Sequence, residues 1–585
     1  MVQLLTIIGS VALVFGVAYT VYGRYMSRVF ELDDDRTTPA HEHYDGVDYV
    51  PSRKLELFGH HFSSVAGGAP IVGPITAALA WGWAPALAWI VVGTVVYGAM
   101  NDFAVLTSSV RHEGRSVGHI FGQYVGERGK SLMLSLGFTA NLLVIGVLSL
   151  VVAIVFDAYP SAATASICYV VLALLFGLYK RFDFPFWLGT VLFVPAVFGS
   201  VWVGLTYPLV LVPASGTIVL PTVVNPNVSA WLIVVLLYAF AASVLPVQTL
   251  LQPRDYLSSF LLYAGLGGAI LAIIVGTVFG TANQSLTMSL SPFTGFMSSA
   301  FDGIGPMVPM LFSTIFCGAV CGLHSMVCCG TTPKQLNHES DARTIGYGTT
   351  LAEGLLAVVA IGTVAVIPTV PSGAGIQLAL PSFAKGGAII LSALGIPADV
   401  GAPFMALVLS AFALTTVDTS IRLGRYFVED IVDEPETRLA GNRFVNGSAQ
   451  SLLAYLLVAS GSWAAIWPLF GGAVQVFAGL SMITVVVWLL NWDSTKEVLS
   501  LTIGAGFVLT MSLSALGYLA LSSLWKKLLD PAWLNTASVI QILSVVVQVV
   551  TVGILGILAF EIVRVAFGTV SQKIELPSSS QEPGD

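Results

Sequence analysis

A chain of 585 residues with 56% apolar and only 10% charged side chains is not built for water, where about a quarter of residues are charged. Its formal charge of −8 comes with no basic tract and no nucleic-acid motif, which excludes a nucleic-acid partner. The five cysteines, Cys168, Cys317, Cys321, Cys328 and Cys329, lie inside apolar stretches, which excludes a disulfide framework and favours small-residue packing.

Apolar windows long enough to cross ~30 Å of hydrocarbon as helix recur throughout the chain. In chain order they predict spans over 1–22, 58–80, 83–109, 130–156, 160–179, 186–206, 229–250, 257–279, 306–329, 345–368, 400–420, 446–469, 471–490, 499–522 and 538–567. The expectation is an all-α polytopic membrane protein of about 15 transmembrane helices. The stretch 383–396 is not counted, because a crossing there would carry Arg422, Arg425, Arg438 and Arg443 outside the cell. Met1 to Tyr22 has no basic n-region or cleavage site and reads as a retained span. With the N-terminus outside, all but Lys385, Lys526 and Lys527 of the 24 Lys and Arg fall in or beside cytoplasmic loops. The loops 207–228 and 280–305 contain neither. The odd span count puts the polar tail "SQKIELPSSSQEPGD" in the cytoplasm as a disordered segment.

The first loop, 23–57, is the longest polar stretch. Its aspartates lack calcium-loop spacing, and it reads as a solvated inner gate or collar. The span behind it opens on "FGHHFSSVAGGAPIVGP", where Gly67, Gly68, Pro70, Gly73 and Pro74 interrupt helical order. Broken helices at bilayer depth are tolerated only where freed backbone groups face protein or a water-lined cavity, and in secondary transporters they build substrate and ion sites. Two later segments share the pattern. One is "SVLPVQTLLQPRDY", with Pro246 and Gln248; the other is "CGAVCGLHSMVCCGTTPKQL", where His324, Gly330, Thr331, Thr332 and Pro333 break the helix toward its cytoplasmic end. Span 229–250 is the fifth after 58–80, so the two cross in opposite directions, as the first helices of a five-plus-five inverted repeat would. Chance proline kinks and close packing by small residues are the competing readings.

Ionisable groups within spans are functional candidates, since a charge in hydrocarbon costs at least ~2.5–3.5 kcal/mol. His60 and His61 sit at the cytoplasmic mouth of the first broken span and could carry a proton. Asp102, in "GAMNDF", and Glu353, in "GTTLAEGLL" after Thr349 and Thr350, are proton, cation or ammonium sites or helix partners. Asp418, flanked by Thr415, Thr416, Thr419 and Ser420, suits a sodium ion or anchors a helix end. Arg254 and Asp255 read as a local pair at the membrane face, with Arg254 placed to attract an anion. His324 with Cys321, Cys328 and Cys329 matches no zinc spacing, so no metal is expected. "GERGKS" has Tyr124 where a phosphate loop needs glycine, which argues against ATP-driven transport.

Four stretches, "YGRYMSRVFELDDDRTTPAHEHYDGVDYVPSRK", "FGHHFSSVAGGAPIVGP", "SVLPVQTLLQPRDYL" and "SMVCCGTTPKQL", together resemble the carbon starvation protein A (CstA) family over at least residues 20 to 430. This chain departs from the family pattern at Cys328 and Cys329, where small or serine residues are usual, so no ligands are carried over within that motif. The resemblance implies a bacterial or archaeal inner-membrane importer used under carbon limitation, taking up short peptides or pyruvate, the latter with protons. It also implies the amino acid–polyamine–organocation superfamily and its five-plus-five inverted-repeat (LeuT-like) core with discontinuous helices. The expected division is 1–57 first span and collar, 58–430 transport core, 431–570 accessory spans and 571–585 tail. Expected substrate or ion contacts are His60, His61, Gly67, Gly68, Gly73, Asp102, Pro246, Gln248, His324, Thr331, Thr332, Glu353, Asp418 and Thr419. Partners are a small molecule and the bilayer, and the coupling ion is a proton or sodium with no cofactor. A sodium-coupled carrier of another small acid or amino acid, or a nutrient sensor that also transports, are the alternatives. An enzyme is disfavoured because the outside loops have no His and almost no acid.

Overall fold

The computed structural model describes residues 3–46, 49–182, 184–213, 225–245, 249–281, 285–298, 304–368, 376–432, 442–459, 463–490 and 495–575. Among them there is no β-strand. The helices that matter here are α1 (Leu4–Val29), α2 (Lys54–Val65), α3 (Ala69–Trp81), α4 (Trp83–Val110), α5 (Val117–Val125), α6 (Glu127–Ala158), α7 (Pro160–Arg181), α8 (Phe186–Thr206), α9 (Pro226–Val244) and α10 (Pro253–Val278). They continue with α11 (Met307–Thr314), α12 (Gly322–Cys328), α13 (Arg343–Ala365), α14 (Ile376–Leu391), α15 (Ala398–Val432), α16 (Arg443–Val458), α17 (Trp463–Leu489), α18 (Val498–Leu528) and α19 (Val539–Glu575).

Twelve helices among the described residues are long and apolar enough to cross a bilayer, and thirteen if the bent pair α2–α3 counts as one span. α6 is the axis of the bundle: α15, α9, α16, α17 and α19 all pack on it, and most of its apolar window is buried. α8 is the opposite case. It lies at the periphery with Trp187 and Trp202 exposed near its two ends, as expected of a lipid-facing helix with interfacial aromatics. α14 is apolar but only 16 residues long, in keeping with leaving its region out of the span count.

Several boundaries differ from the sequence reading, each for a local reason. α16 ends at Val458 and α17 begins at Trp463, where a single window had run on to 469; the intervening sequence "SGS" is a turn signal that hydropathy averages away. α9 stops at Val244 and Leu245 is extended, as the residue before a proline prefers. Pro246 and Gln248 lie outside the described residues. The next helix already contains Arg254 and Asp255, so these two are buried within the bundle and not at its face.

The first break is a bend. α2 and α3 meet at 49° across 66–68, Pro70 sits in the first turn of α3, and Gly73 and Pro74 lie inside that helix. The larger interruption falls where only moderate signals exist, between α11 and α12: Ile315 to Cys321 is non-helical, upstream of the Gly330–Pro333 run. Gly318 adopts φ +76°, open chiefly to glycine, and a Cβ there would lie 2.7 Å from that of Ala357.

Candidate functional site

The two breaks pack against each other. Gly73 of α3 faces the Thr314 carbonyl, and Gly318 faces Pro70. Unwinding frees backbone carbonyls, which must find donors inside the protein. Trp467 Nε1 donates to Thr314 O at 3.0 Å, Trp89 Nε1 to Ile315 O at 2.8 Å, and Thr94 Oγ1 to Gly318 O at 2.8 Å. Trp89 and Thr94 belong to α4, which widens into a π-helical turn over Gly93–Gly98 where it meets the unwound stretch. Side chains at Gly93 and Gly98 would collide with Ala319. A second π-turn, Arg343–Gly348, opens α13, and Gly346 there lies against the Phe103 backbone of α4. Such turns recur at functional sites because they redirect the side chains that follow.

Here they precede the acids. Asp102 on α4 and Glu353 on α13 converge on His324, in the first turn of α12, and none of the three side chains is more than 2% exposed. His324 Nδ1 lies 2.8 Å from Asp102 Oδ2, and Nε2 lies 3.3 Å from Glu353 Oε2. Asp102 is well supported: Thr350 donates to it at 2.6 Å and Asn101 at 3.1 Å, and Asn101 also reaches Ser325 at 2.9 Å. Glu353 is not, since neither of its oxygens accepts a hydrogen bond. One imidazolium balances one carboxylate, so the trio is short of one positive charge or one proton. Cys317 and Cys321, Sγ to Sγ 3.1 Å, lie with His324 within 4.8 Å of one another, close enough for a soft metal ion to bridge. Both imidazole nitrogens already face carboxylates, and we read the thiols as packing.

A second buried cluster occupies the other flank of α2, where α10 packs between α2, α7 and α15. Arg254, 1% exposed, pairs through Nη1 with Asp418 Oδ2, itself fully buried on α15. Tyr238 Oη bridges them, 2.9 Å from Nη1 and 3.0 Å from Oδ2. The rings of Tyr169 and Tyr238 lie 5.8 and 5.5 Å from the guanidinium carbon, and Tyr169 donates to the Arg254 carbonyl at 2.6 Å. This replaces two expectations. Arg254 pairs with Asp418 and not with Asp255. Thr415 and Thr416 bond back to Ala411 and Phe412 carbonyls at 2.9 and 3.2 Å and do not surround Asp418 as sodium ligands would.

The adjacent histidines of α2 divide between the clusters. His61 is buried, with Nδ1 2.7 Å from Thr332 Oγ1 and Nε2 3.8 Å from Cys328 Sγ, at and just beyond the end of the helix that carries His324. His60 is half-buried and lies 3.8 Å from Asp255 Oδ2, beside Arg254. Gly67 fits under Thr416 and Gly68 against Leu409, so both let α15 approach the bend. Thr331 offers its carbonyl to Gln335 at 3.5 Å, and Thr419 is half-buried beside Asp418.

At one end of the bundle the loop between α1 and α2, shorter than the 23–57 stretch expected because both helices extend into it, closes over the segment that follows α12. Val50 and Ser52 amides bond to the Lys334 and Gln335 carbonyls, both at 3.0 Å. Buried Glu339 accepts from Arg111 at 2.8 Å, Arg36 at 3.2 Å and the Asp33 amide at 2.8 Å. Burial disfavours the Asp34 carboxylate, but the Ser340 amide and hydroxyl, each at 2.8 Å, outweigh it and hold Asp34 below its ordinary range. A cavity of about 450 Å³ opens beside α9 and α15, lined by Val244, Leu245, Arg422, Arg425, Glu429 and Arg443 among others.

The model of the family described as Carbon starvation protein CstA matches residues 3–373 and 372–515. A Peptide transporter CstA from Campylobacter jejuni is 32% identical over 571 residues, covering 86% of this chain and 78% of its own. The Pyruvate/proton symporter BtsT of Escherichia coli is 30% identical over 601 residues, covering 87% of this chain and 81% of its own. A solved manganese transporter from Eremococcus coleocola covers 89% of this chain and 99% of its own at 10% identity, with a TM-score of 0.47.

Proposed function

The chain belongs to the carbon starvation protein CstA family, and from that premise we propose that it is a secondary active importer of pyruvate or short peptides driven by protons. It is a carrier and not an enzyme, in line with relatives named as a peptide transporter and a pyruvate/proton symporter. The observation that carries the coupling is the unequal pair of acids on one buried imidazole. Asp102 is stabilised as an anion by Thr350 and Asn101, while Glu353 has no donor and takes up or releases the proton through His324. Because His324 sits directly after the unwound 315–321 stretch, its charge state bears on the element best able to bend.

Counting the bent pair α2–α3, the broken α11–α12 and the short α16 with the twelve long helices, we read the chain as about fifteen spans, with a five-plus-five inverted-repeat core over 58–430, accessory spans over 431–570 and a cytoplasmic tail over 571–585. The setting is a cytoplasmic (inner) membrane with the N-terminus outside, which makes the 23–57 collar an inner gate. His61 and Thr332 link the collar side to the proton site, while His60 lies toward the Arg254 cluster. Sodium coupling is the weaker reading, because Asp418 is paired with Arg254.

The test is uptake of labelled pyruvate and labelled dialanine by purified protein in liposomes under an inward proton gradient. Accumulation of either that a protonophore abolishes and sodium does not replace is the expected result. Accumulation that follows a sodium gradient, or no movement of either compound, overturns the proposal.

A further inference from the structure

We propose that Arg254 is the receptor for the substrate's carboxylate, gripping it on the edge of the guanidinium that Asp418 leaves open. This rests on the transport reading and adds the residue that holds the cargo. Pyruvate and short peptides differ in size and in the ammonium group, and a carboxylate is the charged group they share. Recognition of both by one site therefore calls for a cation within the bundle.

Arg254 is buried, and its partners are arranged on one side. Asp418 Oδ2 and Tyr238 Oη both converge on Nη1. Nε has no partner, and Nη2 reaches only the Ala411 carbonyl, at 3.4 Å. The Nε–Nη2 edge is the one that accepts a carboxylate through two parallel hydrogen bonds, a geometry that an ammonium cannot reproduce. A pair present only to balance charge would be expected to engage that edge, since an orphaned buried donor is costly. Asp418 Oδ1 is also without a partner, so the ion pair is held by a single oxygen. The two tyrosine rings packed near it restrain the guanidinium, which suits a receptor that must keep its shape when empty.

A basic cavity opens one helical turn away along α15. Arg422 lies one helical turn beyond Asp418 on α15 and lines the 450 Å³ cavity with Arg425 and Arg443, opposed by Glu429. These arginines bond to carbonyls at the end of α9: Arg422 to Leu245 at 2.7 Å, Arg425 to Ser243 at 3.3 Å and Arg443 to Val244 at 3.2 Å. Capping explains their positions. It leaves unexplained why the space between them is open, and a net positive vestibule at the end of α9 would draw an anion toward the bundle.

The experiment is equilibrium binding of labelled pyruvate and labelled dialanine to the purified full-length protein, with uptake measured on the same preparations. Arg254→Lys keeps the charge and loses the fork; it should weaken binding of both compounds at least about tenfold and raise KM, with the pH profile of uptake unchanged. Asp418→Asn removes the rival anion and should bind both compounds as tightly as the parent or more so. Should Arg254→Lys fail to fold, Asp418→Asn decides alone. Parental affinity in Arg254→Lys, or loss of affinity in Asp418→Asn, overturns the proposal while wild-type uptake leaves the transport reading standing. A wild-type protein that neither binds nor moves either compound defeats both.

Discussion

The two buried clusters beside α2 use the same kinds of residue to opposite ends. Around Arg254 the charge is closed: one permanent cation, one facing carboxylate, and a tyrosine hydroxyl bonded to both. Around His324 it is open, with two carboxylates on one imidazole and one acid lacking any hydrogen-bond donor. A guanidinium does not titrate, so the cation of the first cluster is permanent and can answer an arriving anion. An imidazole and a carboxylate do titrate, and the second cluster can change by gaining or losing a proton. The lesson is that burial alone does not mark a coupling site. What separates the two is whether the charges present already add up.

The strongest way to break this distinction is Glu353→Gln, which keeps the shape and removes the ionisable carboxyl. Proton-driven accumulation in liposomes should fall on the order of a hundredfold, while exchange of labelled for unlabelled substrate without a gradient persists. Full accumulation in that variant would show that the open cluster is not the coupling site.

The next effect is on stability. Asp102→Asn deprives His324 of its anion and sets an amide against the donors of Thr350 and Asn101. It should cost about 3 kcal/mol, read as a lowered midpoint of thermal unfolding in detergent. The neighbouring histidines then sharpen the contrast. His61→Ala leaves the buried Thr332 hydroxyl unpaired and opens a cavity, at about 2 kcal/mol. His60→Ala removes a half-exposed ring 3.8 Å from its acid and should cost under about 1 kcal/mol. Equal shifts for the two would mean that α2 does not divide the clusters as described.

The members of these clusters were legible one at a time, because a titratable side chain in an apolar run stands out against its surroundings. Their company was not. Asp102 and His324 are 222 residues apart and Arg254 and Asp418 are 164 apart, so only the packed bundle pairs them. Adjacency also misled: Arg254 and Asp255 are neighbours in sequence but point to different sides of a helix. The first break was visible as a density of Gly and Pro. The larger one, 315–321, is written mostly in apolar residues around Gly318, and the donors that stabilise it, Trp89, Thr94 and Trp467, lie on other helices. The π-turns had a signal that went unread, the paired glycines at 93 and 98 and at 346 and 348. The collar could be seen as polar, but not that it is bonded to the segment following α12.

That collar gives the smallest and most conditional effect, and it bears on whether the His324 helix is held from outside the membrane. The Asp34 carboxylate has a folded pKa below its ordinary value because Ser340 bonds to the charged form. A group depressed in this way contributes stability that is present above its unfolded pKa and is lost as pH falls through the folded one. The contact should therefore be constant across neutral pH and weaken only below about pH 4. Hydrogen exchange of the 334–341 amides would check this, with protection flat from pH 7 to 5 after correction for intrinsic rates and falling in more acid solution. Glu339 should respond differently, since it is held by two arginines and an amide and its loss removes the centre of the latch at every pH. Glu339→Ala should then expose the same amides at pH 7, whereas Asp34→Asn should expose them partially. If neither change alters protection there, the collar is a passive cover and the His324 cluster is governed by the bundle alone.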